Sequence, residues 1–291
     1  MNNTSLNDFK KDFYLDELDI YDYFFFLGHN FENFLLHNEK RYGNISKIET
    51  TVFKIDSETS KKKHSGTRID QFNMEKSLIT REDTDADSAK KTKFTYNEEQ
   101  KLQRIEIKEI YLDNKKIEKY EYLYELMHYK DSIIILEREE DTNLMKRVNK
   151  YFIKDNKVEK LIDYVKMVGN TTTATCTDTQ NGYEIYSRLG NLMWHRKKIN
   201  HDKEKKEIQI VYSQAGGIYS EVIYKYDSQK NIINIVELDW KKDNIYLEKP
   251  LLKREYIIAY TYDGKGNWTQ MLYNNITENE TFTFNRKIDY F

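Results

Sequence analysis

From Lys47 onward, apolar and polar residues alternate along the chain with a period of two. The segment EYIIAYTYD (255–263), for example, places Tyr256, Ile258 and Tyr260 on one side of an extended backbone, and KEIQIVY and IYSEVIYKYD alternate in the same way. A period of two is typical of strands with one buried face. Pro250 is the only proline, so it interrupts backbone pairing at one point only. The pattern therefore predicts a long series of β-strands.

A seven-residue frame recurs between these strands, with an aromatic residue, five residues rich in turn formers or charge, and an apolar residue. Its copies are FNMEKSL (72–78), YNEEQKL (96–102), YLDNKKI (111–117), FIKDNKV (152–158), YSRLGNL (186–192), YSQAGGI (212–218), YDSQKNI (226–232) and YDGKGNW (262–268). We interpret each as a β-hairpin, because Asp or Ser after the aromatic residue can bond back to the turn while Gly or Asn supplies a positive φ. For the copies at Phe72 and Tyr111, a chance occurrence of the frame in a Tyr-rich chain is as good an explanation as a hairpin.

The N-terminal region has a different pattern. Ser5 and Asn7 are candidate N-caps, and Phe9 and Phe13 follow at broadly helical intervals. This predicts two domains, an N-terminal helical segment (1–45) packed on the sheet and an antiparallel β-repeat domain (46–291). The expected fold class is mainly β, a long antiparallel meander of β-hairpin repeats that forms a large twisted sheet or an open barrel-like half-shell, with a short N-terminal helical segment.

Three of the hairpin sequences, YDGKGNW, YDSQKNI and YSRLGNL, resemble the Y-D-x-x-G-N/R-L/W signature of bacterial YD (Rhs-type) repeats. The segment GNWTQMLYNNITENETFTFNRKIDYF is similar to the last hairpin of related bacterial β-repeat proteins, in which the closing strand carries an R-x-I-x-Y pattern, here Arg286, Ile288 and Tyr290. The resemblance extends from Phe72 to Phe291 and is strongest from Tyr186 onward. It departs from the family in its irregular spacing. It implies a β-architecture used for binding or encapsulation, without a catalytic set.

Composition narrows the choice of partners. The formal net charge of −2 gives no overall attraction to nucleic acid or to an anionic membrane, and the abundance of tyrosine, 24 residues, suits strands with one exposed face. Cys176 is the only cysteine, which excludes an internal disulfide. The first 21 residues lack a basic segment followed by an apolar one, and the apolar run Tyr23–Gly28 is too short to span a bilayer. We therefore expect a cytoplasmic protein.

Candidate catalytic and metal-binding groups do not form a recognisable set. DTDAD (83–87) imitates the start of a calcium loop, but Ser88 stands where the loop needs Gly and Phe94 where it needs Glu. His195 and His201 are six residues apart across a predicted turn, which favours a solvated hairpin over a metal site. We predict no catalytic residue, no cofactor and no metal. An enzyme using carboxylates on the sheet face stays an alternative.

The hypothesis for function is a non-enzymatic protein that binds another protein. Within this class, an immunity-type or accessory protein that binds and neutralises a cognate toxin fits a β-scaffold with charged loops. The alternative is an exported or surface β-repeat protein that binds carbohydrate or envelope material. The predicted contact residues are the basic segment KKKHSGTR (61–68) and three tryptophans expected at exposed turns, namely Lys61, Lys62, Lys63, Arg68, Trp194, Trp240 and Trp268.

Overall fold

The computed structural model describes residues 43–113, 116–139, 145–154, 157–165, 170–189, 192–214, 217–228, 231–242 and 245–291. These residues form eighteen strands: β1 (Ile45–Ile55), β2 (Lys62–Phe72), β3 (Leu78–Asp85), β4 (Ser88–Tyr96), β5 (Leu102–Asp113), β6 (Lys116–His128), β7 (Ser132–Glu139), β8 (Met145–Lys154), β9 (Lys157–Val165), β10 (Asn170–Thr179), β11 (Gly182–Leu189), β12 (Leu192–Asp202), β13 (Glu207–Gln214), β14 (Gly217–Tyr226), β15 (Ile232–Lys242), β16 (Ile245–Tyr262), β17 (Trp268–Asn275) and β18 (Glu280–Tyr290). The predicted N-terminal helical segment (1–45) lies outside the described residues except for residues 43–45, and β1 already begins at Ile45.

The strands form one antiparallel meander in which each strand pairs with the next. In addition, β1 pairs with β18 from Ile45↔Tyr290 to Ile55↔Thr281, so the first and last strands are also neighbours. Each described strand therefore has a hydrogen-bonded partner on both sides. The predicted mainly β, antiparallel hairpin meander is confirmed, and the pairing of β1 with β18 is a long-range contact that no local pattern specifies.

One face of the sheet holds the apolar core, and cross-strand register shows which residues share it. Ile199 faces Ile210 and Tyr224 faces Ile235, and the side chains of Ile199 and Ile235 are almost fully buried. Residues directly opposite each other on paired strands point to the same side. Removing a large apolar side chain from water stabilises the fold by about 1.5–3 kcal/mol, so this face, called here the core face, supplies most of the hydrophobic stabilisation.

All eight copies of the aromatic frame are strand-to-strand connections. In four of them the aromatic residue ends one strand and the apolar residue begins the next, and the two residues pair directly across a β-bulge: Phe72↔Leu78, Tyr96↔Leu102, Tyr226↔Ile232 and Tyr262↔Trp268. The hairpin interpretation is therefore confirmed, including the two copies that chance could explain.

The turn chemistry of these four hairpins is shared. The residue after the aromatic one is Asn73, Asn97, Asp227 or Asp263, and its side-chain Oδ1 accepts a hydrogen bond from the backbone N–H four residues later. The same residue donates its own N–H to the carbonyl at that position. Asn and Asp favour turns because their short side chains can bond to nearby backbone in this way. This local bond explains why the sequence predicts the hairpins so directly.

The positive φ in these turns is not always supplied by Gly or Asn, as the sequence predicted. The fourth turn residue has a left-handed backbone, which Gly266 supplies in one copy, but Lys76 (φ 67°) and Gln100 (φ 58°) occupy the equivalent position in two others. A residue with a Cβ pays a steric cost of about 1–2 kcal/mol in this conformation. These two turns tolerate that cost because their Asn side chains and backbone bonds fix the geometry.

Replacing Lys76 with Gly is expected to stabilise the protein by about 1 kcal/mol, because Gly adopts the left-handed conformation without the Cβ clash. The gain is measured as an increase in the urea midpoint at an unchanged slope, and Gln100→Gly is expected to behave in the same way. The matched control is Glu75→Gly, one position earlier, where φ is not positive and the change is expected to destabilise. A Lys76→Gly variant less stable than the wild type would contradict this account of the turn.

The hairpins at one end of the sheet are also tied to each other. Tyr290 Oη donates to Asp263 Oδ2 (2.6 Å) in the β16–β17 turn, and Tyr262 Oη donates to Asp227 Oδ2 (3.2 Å) in the β14–β15 turn. Tyr96 Oη donates to the carbonyl of Leu78 beside the β2–β3 turn. Each bond joins a strand-end tyrosine to the neighbouring hairpin, and we call this end of the sheet the tied end.

The pKa of the Asp263 carboxyl reflects the hydrogen bonds that it accepts at the tied end. Burial acts to raise its pKa, but hydrogen bonds from Tyr290 and from the backbone of Asn267 and Lys265 outweigh burial, so the pKa lies below its usual value. The charged carboxylate is therefore the form that the tied end favours.

Candidate binding site

The end of the sheet opposite the tied end, called here the prong end, has two hairpins with exposed apolar side chains. In a meander of antiparallel strands, alternate connections lie at opposite ends, so the β1–β2, β5–β6 and β15–β16 connections all lie at the prong end. Two of these carry nine of the 17 exposed large apolar side chains in the described part of the chain: Ile110, Tyr111, Leu112, Ile117 and Tyr120 on β5–β6, and Ile245, Tyr246, Leu251 and Leu252 on β15–β16. Clusters of this kind mark interaction surfaces more often than scattered single residues do.

The β5–β6 hairpin exposes apolar groups on both of its faces. Leu112 pairs with Ile117 on one face, and they are 52% and 66% exposed. On the other face the rings of Tyr111 and Tyr120 meet edge to face at 5.9 Å. Neither face of the outer part of this hairpin is buried, although β4 and the turn before it pair with the hairpin as far as Leu112. We call it the first prong.

The β15–β16 hairpin forms the second prong. Lys242 pairs with Ile245, and Asp239 pairs with Leu251, so that the segment 247–250, which includes Pro250, forms a wide bulge opposite Trp240. Proline is tolerated in a bulge because it has no N–H to lose from the ladder. Ile245 at the end of the prong is 67% exposed.

A lysine-rich turn lies between the two prongs. The β1–β2 connection brings Lys61, Lys62 and Lys63 to the prong end, where all three are exposed. The turn is four strands away from the first prong and, through the β1–β18 pairing, four strands away from the second. At about 4.8 Å per strand, each prong lies about 19 Å along the sheet from the lysines. The same connection also carries the exposed Asp56 and Glu58, so the prong end presents a small net positive charge between two apolar projections.

A cavity of about 220 Å³ lies on the core face below the lysine turn, between β18, β1, β2 and β3. Its centre is Gly66, which pairs with Val52 on one side and Asp85 on the other. A Cβ on Gly66 would lie 2.9 Å from the carbonyl oxygen of Thr84, so glycine is required by the close strand approach. Because Gly66 has no side chain, an open space remains at this point of the core face. The residues that line it are Thr50, Val52, Ser65, Gly66, Thr67, Arg68, Asp83, Thr84, Asp85, Phe282 and Phe284.

Two ion pairs in opposite orientation lie in adjacent rows of the core face, and the first of them, Arg68–Asp83, lines this cavity. Arg68 Nε donates to Asp83 Oδ1 at 2.5 Å, and in the next row Arg81 Nε donates to Asp70 Oδ1 at 2.7 Å. The side chains of Asp70 and Arg81 are each only 7% exposed. Burial lowers the pKa of the Arg68 guanidinium and the neighbouring Arg81 lowers it further, whereas Asp83 and Asp70 raise it. The four charges neutralise each other, which makes their burial tolerable.

The basic segment predicted from the sequence therefore divides into two parts. Lys61, Lys62 and Lys63 are exposed, as a contact surface requires, but Arg68 lies in the cavity and pairs with Asp83 of the acidic DTDAD segment. The segment ends in a turn after β3, in which Asp85 Oδ1 accepts bonds from the backbone N–H groups of Asp87 and Ser88.

Two of the predicted tryptophan contacts are corrected. Trp268 begins β17 and is only 3% exposed, because the frame's apolar position points to the core face, where the Arg286 guanidinium lies 3.3 Å from the centre of its ring. Trp240 lies within β15 and not in a turn, partly buried, with its Nε1 donating to Glu221 at 2.8 Å. Trp194 lies in β12, and its side chain is outside the described residues.

The prong residues are the part of this site that the sequence reasoning missed, although a signal was present. Both prongs contain the tripeptide IYL, at 110–112 and at 245–247. Three consecutive apolar residues break the period of two, because one of them must point away from the core face. An interrupted alternation at the end of a strand was therefore the mark of an exposed apolar tip.

Other chemistry is limited within the described ranges. No group of three His, Cys, Asp or Glu side chains there is placed to hold a metal ion. His201 is buried, with Nε2 at 2.5 Å from Tyr226 Oη. No helix in these ranges has the length and apolar character needed to cross a bilayer.

The chain matches no protein-family model and no curated protein. Among solved structures, it is similar to a porin-like protein from Bacteroides uniformis ATCC 8492, with 13% identity, a TM-score of 0.49 and coverage of 86% of this chain and 98% of that one. It is also similar to a porin-like protein from Bacteroides vulgatus ATCC 8482, with 8% identity, a TM-score of 0.29 and coverage of 86% and 99%. Similarities at these scores carry no inference about this chain.

Proposed function

We propose that this is a non-enzymatic protein-binding protein that engages its partner through the prong end, and that the partner is a cognate toxin which it neutralises. The observation that supports the proposal best is the arrangement of two apolar prongs on either side of the exposed Lys61–Lys63 turn. Aromatic and aliphatic side chains are the common anchors of specific protein interfaces, and charged groups beside them orient the partner.

The pairing of the strands restricts how a partner can bind. Strand addition needs a sheet edge with unpaired N–H and C=O groups. Since β1 pairs with β18 and each described strand has two neighbours, the described sheet offers no such edge. A partner must therefore be recognised by side chains, and the prong end has the largest cluster of them.

The side of the sheet opposite the core face favours an aqueous environment. Lys91 pairs with Glu82 at 2.6 Å and Lys108 pairs with Glu121 at 3.1 Å on this side. Charged side chains cost free energy when they enter hydrocarbon. This supports a protein partner over a lipid one, and the absence of an overall positive charge argues in the same direction against nucleic acid.

The lysines of the prong end specify the charge of the partner. Positive groups around an interface accelerate association with a negative surface and fix its orientation. The partner surface is therefore expected to be acidic, with an apolar patch for each prong. The two prongs and the lysine turn span eight strands, about 38 Å along the sheet, a distance that an interface of standard size covers.

A variant with both parts of the prong end changed is expected to lose its partner. The changes are Lys61, Lys62 and Lys63 to Glu, with Leu112→Ser and Leu252→Ser, and the expected loss of affinity is at least 100-fold because apolar anchors and charge are removed together. The measurement is affinity capture from the native host, followed by titration of the captured protein against each variant.

The matched control places similar changes at the tied end, namely Lys203→Glu and Lys205→Glu with Met74→Ser and Tyr129→Ser, all at exposed positions. This control is expected to bind like the wild type. The captured protein must also be toxic when expressed alone, and co-expression of the wild type must rescue growth while the prong variant does not. A captured protein without toxicity, or rescue by the prong variant, would contradict the proposed function.

A further inference from the structure

We infer that the cavity at Gly66 is a recognition pocket for one neutral aromatic side chain with a polar end, a tyrosine of the protein partner. This inference rests on the proposed function for the source of the tyrosine, but the pocket chemistry can be tested without a partner. The argument comes from the position of the cavity, its size and the distribution of its polar groups.

The position connects the cavity to the prong end. Ser65 and Gly66 lie on β2 one residue after the exposed lysines, and Lys54, which is 47% exposed at its side chain, pairs with Lys63 just above the cavity. A segment of a partner held by the lysine turn would therefore pass over the mouth of the cavity. Side chains that anchor protein interfaces fill pockets of this kind near the centre of the contact.

The gap has room for one aromatic ring. Because Gly66 has no side chain, Val52 and Asp85 are separated on the core face by two strand spacings, about 9.6 Å. The cavity volume is about 220 Å³. A single phenol ring fills such a space, whereas a drug-sized ligand needs a larger one.

The apolar and polar groups lie on opposite sides of the gap. Phe284 pairs with Val52 on the β18–β1 side, and Phe282 lies on β18 two residues before it. The Arg68–Asp83 pair and Asp85 lie on the β2–β3 side. A ring with one polar atom matches this division, with its face against the phenyl rings and its hydroxyl toward the ion pair.

Charged ligands match less well. Asp83 and Asp85 would repel an anion, whereas Arg68 inside the cavity and Lys63 at its mouth would repel a cation. A sugar is neutral, but it needs hydrogen-bond partners around its whole edge, and the side formed by Val52, Phe282 and Phe284 adds only Thr50 Oγ1, which already accepts from Arg286. The neutral phenol group is therefore the chemistry that the cavity selects.

The test uses 4-methylphenol, toluene and glucose as probes of the purified full-length chain. We expect 4-methylphenol to bind with a dissociation constant on the order of millimolar, to shift the backbone amide signals of Gly66 and Thr67 in a TROSY spectrum, and to bind at least fivefold more tightly than toluene. Val52→Phe, which fills the cavity, is expected to abolish binding. Thr51→Phe, its neighbour on the other side of the sheet, is the matched control and is expected to leave binding unchanged.

Three results would overturn the inference. They are no shift at Gly66 with any probe, equal affinity for toluene and 4-methylphenol, or binding of glucose in place of 4-methylphenol, which would assign the cavity to sugars. Retained thermal stability of both variants shows that a lost signal is not unfolding. If the pocket binds 4-methylphenol but the prong variant still rescues cells from the toxin, the proposed function fails while the pocket stands.

Discussion

Asp70→Ala is expected to reduce the free energy of unfolding by about 3–5 kcal/mol. The change leaves the buried guanidinium of Arg81 without the carboxylate that accepts from its Nε at 2.7 Å and from its Nη2 at 3.3 Å. Breaking a buried ion pair on one side is costly because the remaining charge stays desolvated. Chemical denaturation monitored by tyrosine and tryptophan fluorescence measures the change.

The double variant Asp70→Leu with Arg81→Met separates two explanations. If the cost comes from an uncompensated buried charge, replacing both partners with apolar residues of similar size restores most of the stability. Glu82→Ala is the matched control on the opposite face, where its partner Lys91 is 60% exposed at the side chain, and it is expected to change stability by less than about 1 kcal/mol. A double variant as unstable as Asp70→Ala would contradict the charge explanation.

Trp268→Ala is expected to cost about 3–5 kcal/mol of stability and to leave the affinity of the folded protein for its partner unchanged. The ring is 3% exposed and packs between Arg286 and Tyr260, so its removal creates a cavity in the core face. This outcome distinguishes a core tryptophan from the contact residue that the sequence suggested. The measurements are the urea midpoint and a titration with the captured partner at low temperature, where the variant is folded.

The control for Trp268→Ala is Tyr129→Ala, an aromatic residue that also belongs to the tied end but is 54% exposed. Its removal is expected to change stability by less than about 1 kcal/mol, since little buried area is lost. A Trp268→Ala variant with wild-type stability and weakened partner binding would return Trp268 to the contact surface.

The hairpins were predictable because the information for each one lies within a few residues. Tyr262 and Trp268 pair with each other, and the Oδ1 of Asp263 closes the turn between them. Both contacts join residues that are close in sequence, so the aromatic frame and the period of two are sufficient to predict them. The positions of Lys76 and Gln100 were not predictable, because their positive φ is imposed by the turn against their own preference.

The candidate site was predictable only in part, because some of its contacts join residues on different strands. Lys61, Lys62 and Lys63 are exposed because a charged run at the beginning of a strand, next to a turn, favours solvent. Arg68 follows in the same basic segment, yet it points to the core face because residue parity along β2 places it beside Asp83. The segment alone could not show which of its charges would be solvated and which would be paired.

The sequence by itself determined the strands, the hairpin turns between them and the exposed lysine turn, because each depends on alternation or hydrogen bonds within a short stretch of chain. Only the tertiary structure decided that β1 pairs with β18, that Asp70 and Arg81 form a buried ion pair and that two prongs flank the lysines. The physical reason is register. Which side chains become neighbours depends on how distant strands align, and residues as far apart as Val52 and Phe284 meet only when the meander is complete.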